Sequence, residues 1–123
     1  MATDLTIRLV NQPGTLAQAS DVLGRAGINI EGACGYVVGG QGVYHVLVTD
    51  AERARRALID SGFEIQDERR VAVVEVENRP GAGAALLRRV ADAQVNIDLL
   101  YTTLDGRLVL GGGDAAAIQR ALG

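Results

Sequence analysis

Lysine is missing altogether: all twelve basic residues are arginine, a bias we read as codon usage rather than chemistry. Tryptophan is also absent and aromatics make up 3% of the chain, so any core has to be built from Val, Leu, Ile and Ala. A single cysteine, Cys34, excludes an intrachain disulfide and fits a reducing compartment. With one histidine, His45, it is also too few for a His/Cys metal site within one chain. No apolar run approaches the ~20 residues that a membrane helix needs. The start, Met1-Ala2-Thr3-Asp4, lacks the charged and apolar regions of a signal peptide, so a cytoplasmic protein with no membrane partner is expected. Basic charge does not dominate: the net charge is −3, which argues against a nucleic-acid partner. No acid–base or nucleophile pair stands out, so no enzyme activity is expected. Proline is confined to Pro13 and Pro80.

Those two prolines sit inside a repeat. Asn11-Gln12-Pro13-Gly14 returns as Asn78-Arg79-Pro80-Gly81, 67 positions on, and the same shift carries Ile28-Asn29-Ile30 onto Val95-Asn96-Ile97. A repeated unit sets the architecture, so it takes precedence over other signals. Leu5-Thr6-Ile7-Arg8-Leu9 alternates with the period of a strand that buries one face, leaving Thr6 and Arg8 on the other. The shift places Ala72, Val74 and Val76 in the same buried phase. After each Pro-Gly turn comes an amphipathic helix, with a stripe of Leu16, Ala19, Val22, Leu23 and Ala26 in the first copy. In the second copy the stripe is Leu86, Leu87, Val90, Ala91 and Ala93. Gly27 stands where a helix C-cap glycine belongs, and Gln94 replaces it in the second copy.

Two hairpins follow. Asn29 to about Val38 and Val43–Val48 flank the turn Gly39-Gly40-Gln41-Gly42. In the second copy, Asn96–Leu104 and Arg107–Leu110 flank Asp105-Gly106, a two-residue hairpin signal. Asp50 and Asp114 then N-cap further helices. The first copy adds a strand at Phe63–Gln66. The order strand–helix–strand–strand–helix–strand is the split β-α-β pattern of a ferredoxin-like sandwich. The expected fold is α+β: two βαββαβ repeats, residues 1–66 and 67–123, each an antiparallel sheet with helices on one face, the second truncated.

The N-x-P-G turn after the first strand, Leu two positions past that Gly, and a Gly-Ile-Asn-Ile entry into the second strand resemble the ACT domain, here in tandem. Gly83 stands where the pattern wants the equivalent of Leu16. The resemblance implies a non-catalytic sensor of a free amino acid, held between neighbouring ACT repeats, that regulates amino-acid metabolism. The positions it implies are Asn11, Gly14, Thr15, Leu16, Asn29 and Ile30, with Asn78, Gly81, Asn96 and Ile97 in the second copy. Some family members carry a His two residues before the turn Asn; here those positions are Leu9 and Val76.

The residues themselves suit such a ligand. The first N–H groups of a helix lack intrahelical partners and favour an anion such as a carboxylate. Glycine lets a ligand approach the main chain. Asn offers both donor and acceptor, as an ammonium and a carboxylate require together. Taken alone, Asn-x-Pro-Gly is also a stock turn. The alternative function is assembly with another protein through the same fold, without a small ligand. Residues 30–38 contain few charges to guard a sheet edge, so pairing with another repeat and a homodimer are expected.

Other constellations are set aside. The Gly39–Tyr44 segment superficially resembles an acylphosphatase loop but lies in the wrong hairpin and lacks its Arg. Gly111-Gly112-Gly113-Asp114 precedes a helix without the Lys-Ser/Thr of a phosphate loop, and no cofactor is expected. His45 reads as a sheet or interface residue, Cys34 as a small apolar filler, and the Arg-rich stretches as solvated faces. Asp67–Arg70 can bridge at most roughly 17 Å. Joining the repeats through their second strands would require about 29 Å. On that ground Phe63–Gln66 is expected to cross over and complete the second repeat's sheet.

Overall fold

A computed structural model describes residues 2–123. The elements are β1 (Thr3–Val10), α1 (Thr15–Arg25), β2 (Gly32–Val38), β3 (Gln41–Val48), α2 (Ala51–Asp60), β4 (Glu64–Arg70), β5 (Ala72–Val74), α3 (Ala82–Asp92), β6 (Ile97–Thr102), β7 (Leu108–Gly112) and α4 (Ala115–Leu122). They fall into two compact units, residues 2–69 and 70–123. Among the described residues no helix is long and apolar enough to cross a membrane.

The first unit has a four-stranded sheet in the order β2-β3-β1-β4, with β1–β3 and β2–β3 antiparallel. Leu5, Ile7 and Leu9 project from one face of β1 into a core completed by Val46 and Val48 of β3, Ala19 and Leu23 of α1, and Ala54 and Leu58 of α2. Fully burying a Leu, Ile or Val contributes roughly 1.5–3 kcal/mol, so this aliphatic set sustains the unit despite the scarcity of aromatics. Asp50 caps α2 by accepting the Arg53 N–H at 3.2 Å, as its position before the apolar stripe predicts.

The fourth strand does not cross over. Residues 64–70 form β4 alongside β1 in the first sheet, and Phe63 and Ile65 pack against the first core. Polar contacts hold it there as well: Arg55 of α2 bonds Glu68 at 2.7 Å, and Arg8 of β1 lies 3.6 Å from Glu64. The hydrogen bond and charge of Glu68 raise the Arg55 guanidinium above its ordinary pKa. Exporting this segment would have stripped two large side chains from a core that already accommodates them. Burial within the repeat outweighs the linker-length argument.

In the second unit the sheet order is β5-β7-β6. Its core gathers Ala72, Val90, Leu108, Leu110 and Ile118, with Val74, Val76, Val95 and Leu122 packed around them. The hairpin between β6 and β7 is one residue longer than Asp-Gly alone suggests. The Thr103 N–H reaches the Arg107 carbonyl at 2.8 Å, which leaves Leu104, Asp105 and Gly106 as a three-residue loop with Gly106 at φ 87°. The Thr103 hydroxyl, and then Arg107, hold the Asp105 carboxyl below the usual carboxylate range.

Candidate functional site

Both Pro-Gly turns fold alike. Gly14 adopts φ 91°, ψ −10° and Gly81 adopts φ 85°, ψ −12°, a left-handed conformation that a side chain would oppose. The Thr15 N–H bonds the Gln12 carbonyl at 3.4 Å and the Gln18 N–H bonds Gly14 at 2.9 Å. Sixty-seven positions on, Ala82 bonds Arg79 at 3.2 Å and Ala85 bonds Gly81 at 3.0 Å. No side chain caps α1 or α3, whereas Asp50 and Asp114 cap α2 and α4. With the Thr15 N–H directed at Gln12, it is the Leu16 and Ala17 N–H groups of the first turn that no side chain caps. The Thr15 hydroxyl donates to the Gln12 carbonyl at 3.1 Å, so its proton is committed to the turn while its oxygen can still accept.

In the first unit the turn opens onto a cavity of about 320 Å³. Asn11, Gly14, Thr15 and Leu16 line it from the turn and α1, Gly35, Tyr36 and Val37 from β2, and Gly42 and Val43 from β3. Glycine matters at Gly42, where the approach of Leu9 is tight, whereas the space above Gly35 is filled by Leu16 at ordinary contact distance. Leu16 lies over Gly35, 3.8 Å from where a Cβ would stand, and a Cβ on Gly42 would come within 3.3 Å of Leu9. The lining from β2 and β3 was not legible in the sequence. It follows from the register Val38–Gln41–Val10, which brings the far end of the hairpin beside the turn.

Asn29 and Ile30 are elsewhere. They precede β2, which begins at Gly32 and not at Asn29, because the chain leaves α1 through a cap at Gly27 and first pairs when the Glu31 N–H reaches the Leu47 carbonyl at 2.9 Å. Gly32 pairs with Leu47 near the start of β1, while Val38 pairs with Gln41 near its end. Gly32 and Val38 are six strand residues, roughly 20 Å, apart, and Asn29 and Asn11 lie beyond opposite ends of that span. In the second unit a cavity of about 510 Å³ is lined by Asn96, Ile97, Asp98 and Leu99 of the β6 region and Leu87, Val90 and Ala91 of α3. Asn78 and Gly81 are not part of it. Asn96 itself lies just outside β6.

A second cluster is polar and buried. Asp4, Thr6 and His45 are each 7% exposed or less, on the side of the sheet away from the helices, where the alternation of β1 suggests an open face. His45 Nδ1 is 2.9 Å from Asp4 Oδ2, and the Thr6 hydroxyl donates to the same oxygen at 3.3 Å. A carboxylate only accepts, so Nδ1 donates to Asp4, while Nε2 and the Tyr36 hydroxyl are hydrogen-bonded to each other at 3.1 Å. These bonds satisfy the buried polar atoms and make His45 a sheet residue.

Solved structures share the fold. A protein from Bacteroides thetaiotaomicron is 25% identical with a TM-score of 0.85, covering 98% of this chain and 85% of the other. The regulatory subunit of aspartate kinase from Thermus thermophilus, in its ligand-free form, is 24% identical with a TM-score of 0.72, covering 98% and 89%. The Thermus flavus regulatory subunit of aspartate kinase is 22% identical with a TM-score of 0.70, covering 98% and 90%. No curated protein matches the chain in sequence. The family description that does match is the ACT domain pair, over residues 1–113, and the chain belongs to that family.

Proposed function

We propose that this chain is a non-catalytic regulatory sensor that binds a free amino acid at the Asn11–Leu16 turn and passes the signal to a partner in amino-acid metabolism. The observation that supports this most is the cavity where Asn11, Gly14, Thr15 and Leu16 meet β2 at an uncapped helix start. There the ligand carboxylate is met by first-turn N–H groups, and its ammonium by the Asn11 side-chain carbonyl. Asn29 and Ile30 lie too far away to join the same ligand within one unit, so they serve a ligand held by the turn of another copy. That arrangement requires self-association, and the edge strand β2, Gly32–Val38, carries no charged side chain to oppose it. A cytoplasmic setting suits the single thiol of Cys34.

The same bare edge favours a second reading, assembly with another protein through β2 without a small ligand. A thermal-shift screen of the full chain against the twenty amino acids separates the two. A ligand that binds only the native state raises the midpoint by mass action, by about 2.7 kcal/mol of stability at a hundred times Kd. If no amino acid at millimolar concentration moves the midpoint, the sensor reading fails and the assembly reading stands.

A further inference from the structure

The Asn11–Thr15 turn is flanked by two cavities of opposite character. On the β4 side, about 520 Å³ is lined by residues that include Arg8 and Glu64, which pair with each other at 3.6 Å. On the β2 side, the 320 Å³ cavity has no Asp, Glu, Arg or His anywhere in its lining. On the helix face of the sheet its apolar side chains are Leu9, Leu16 and Val37, beside the polar Asn11, Gln12 and Thr15, while Val10, Tyr36 and Val43 border it from strands whose register turns them to the opposite face. Two of the helix-face side chains keep large exposed surfaces, 53% for Val37 and 51% for Leu16. Large apolar side chains gathered around one cavity mark a surface built to be covered. The volume lies near the low end of the roughly 300–1,000 Å³ range for small-molecule sites, which suits a single amino acid.

From this contrast we infer that the ligand is a neutral amino acid with an apolar side chain, aliphatic or aromatic, seated on the β2 side between Leu16 and Val37, over Leu9. The inference rests on the amino-acid-sensor reading and adds the ligand class. A charged side chain entering this cavity would lose its water and find no opposite charge, a cost that an apolar side chain does not incur. Arg8, which pairs with Glu64, projects from the opposite face of β1 from Leu9, and the two members of that pair already neutralise one another. The polar groups of the turn are then left for the part common to all amino acids, the carboxylate and ammonium.

Calorimetric titration of the full chain with valine, leucine, isoleucine and phenylalanine, against lysine, arginine, aspartate and glutamate, tests it. At least one apolar ligand is expected to bind tenfold or more tightly than every charged one. In Leu16→Ala, which removes an exposed side chain and should leave the unfolding midpoint in place, apolar affinity should fall about tenfold or more. A charged amino acid binding as tightly as the apolar set would overturn the inference while leaving the sensor reading intact. Apolar binding undiminished in Leu16→Ala would place the side-chain pocket elsewhere and also overturn it. If no amino acid binds, as when a second copy fills the groove, the sensor reading and this ligand class fall together.

Discussion

Gln94→Gly should stabilise the protein, and the first unit supplies the internal standard for how much. The ends of α1 and α3 are the same cap. Gly27 and Gln94 bond the carbonyls of Gly24 and Ala91 at 3.0 and 2.9 Å, and Ile28 and Val95 bond those of Leu23 and Val90 at 2.9 and 3.2 Å. This is the Schellman arrangement, with the last residue of each motif packing back on the helix. The cap needs a left-handed residue, and φ is 74° at Gly27 and 60° at Gln94, the only non-glycine residue with positive φ among those described. For an L-residue that conformation costs roughly 1–2 kcal/mol. Glycine gives back part of the gain, about 0.4–1 kcal/mol, because the unfolded chain becomes freer. The net stabilisation is about 1 kcal/mol, or roughly 4–8 °C in Tm for a unit this small. Urea unfolding should show a higher midpoint with an unchanged m-value. In Gly27→Ala the sign reverses, and a Cβ would also stand 3.2 Å from Arg53 Nη2. A Gln94→Gly midpoint equal to or below the parent, at constant m, would refute the strain argument.

Four further outcomes are expected. Asn11→Ala should cost about 1–3 kcal/mol of amino-acid affinity by calorimetry with the unfolding midpoint unchanged, whereas Asn78→Ala should leave affinity at the first-unit cavity unaltered. Gly112→Ala should destabilise by about 2 kcal/mol or more in denaturant titration, because the new Cβ would run into the Asn96 carbonyl and press on Ile118. The Asp105 carboxyl, held down by Thr103 and Arg107, should titrate below the ordinary ~3.9 by NMR. Its contribution to stability is therefore present above the unfolded-state pKa and disappears as pH falls through the lower folded value; an ordinary midpoint would refute those bonds. By light scattering the chain should have a dimer mass at micromolar concentration, and Val38→Arg, which puts a charge on the β2 edge, should shift it to monomer; a monomeric parent would count against edge pairing.

Much of the fold was legible because it is written in periods and punctuation. Leu5, Ile7 and Leu9 announce a strand that buries one face, Pro13-Gly14 and Pro80-Gly81 mark where strands turn into helices, and Asp50 and Asp114 mark two helix starts. What was not legible depended on contacts that no local window contains. Phe63 and Ile65 alternate as any strand does, and only their packing against the first core decides which sheet receives them. Likewise Asp4 and Thr6 look like open-face residues until Tyr36 and His45 are brought to them by the register of β1, β3 and β2. Asn29 reads as the partner of Asn11 in sequence, yet the parallel course of β1 and β2 sends the two to opposite ends of the sheet.

The two turns also separate what a motif fixes from what it leaves open. Backbone hydrogen bonds recur at the 67-residue shift with nearly the same lengths and glycine dihedrals, so Asn-x-Pro-Gly suffices to end a strand and open an uncapped helix. The side chains beside it do not recur: Thr15, Leu16 and Gln18 become Ala82, Gly83 and Ala85. Losing Leu16 removes the apolar wall that leans on β2 in the first unit, and losing the Thr15 hydroxyl removes an acceptor at the turn. Helix-terminal N–H groups exposed to water are well solvated and carry little preference for any one anion. They select a ligand only where an apolar wall excludes that water and strengthens the interaction. By that criterion the shared turn is a folding device in both units, and the neighbouring residues of β2 and β3 are what set the proposed site of the first copy apart from the second.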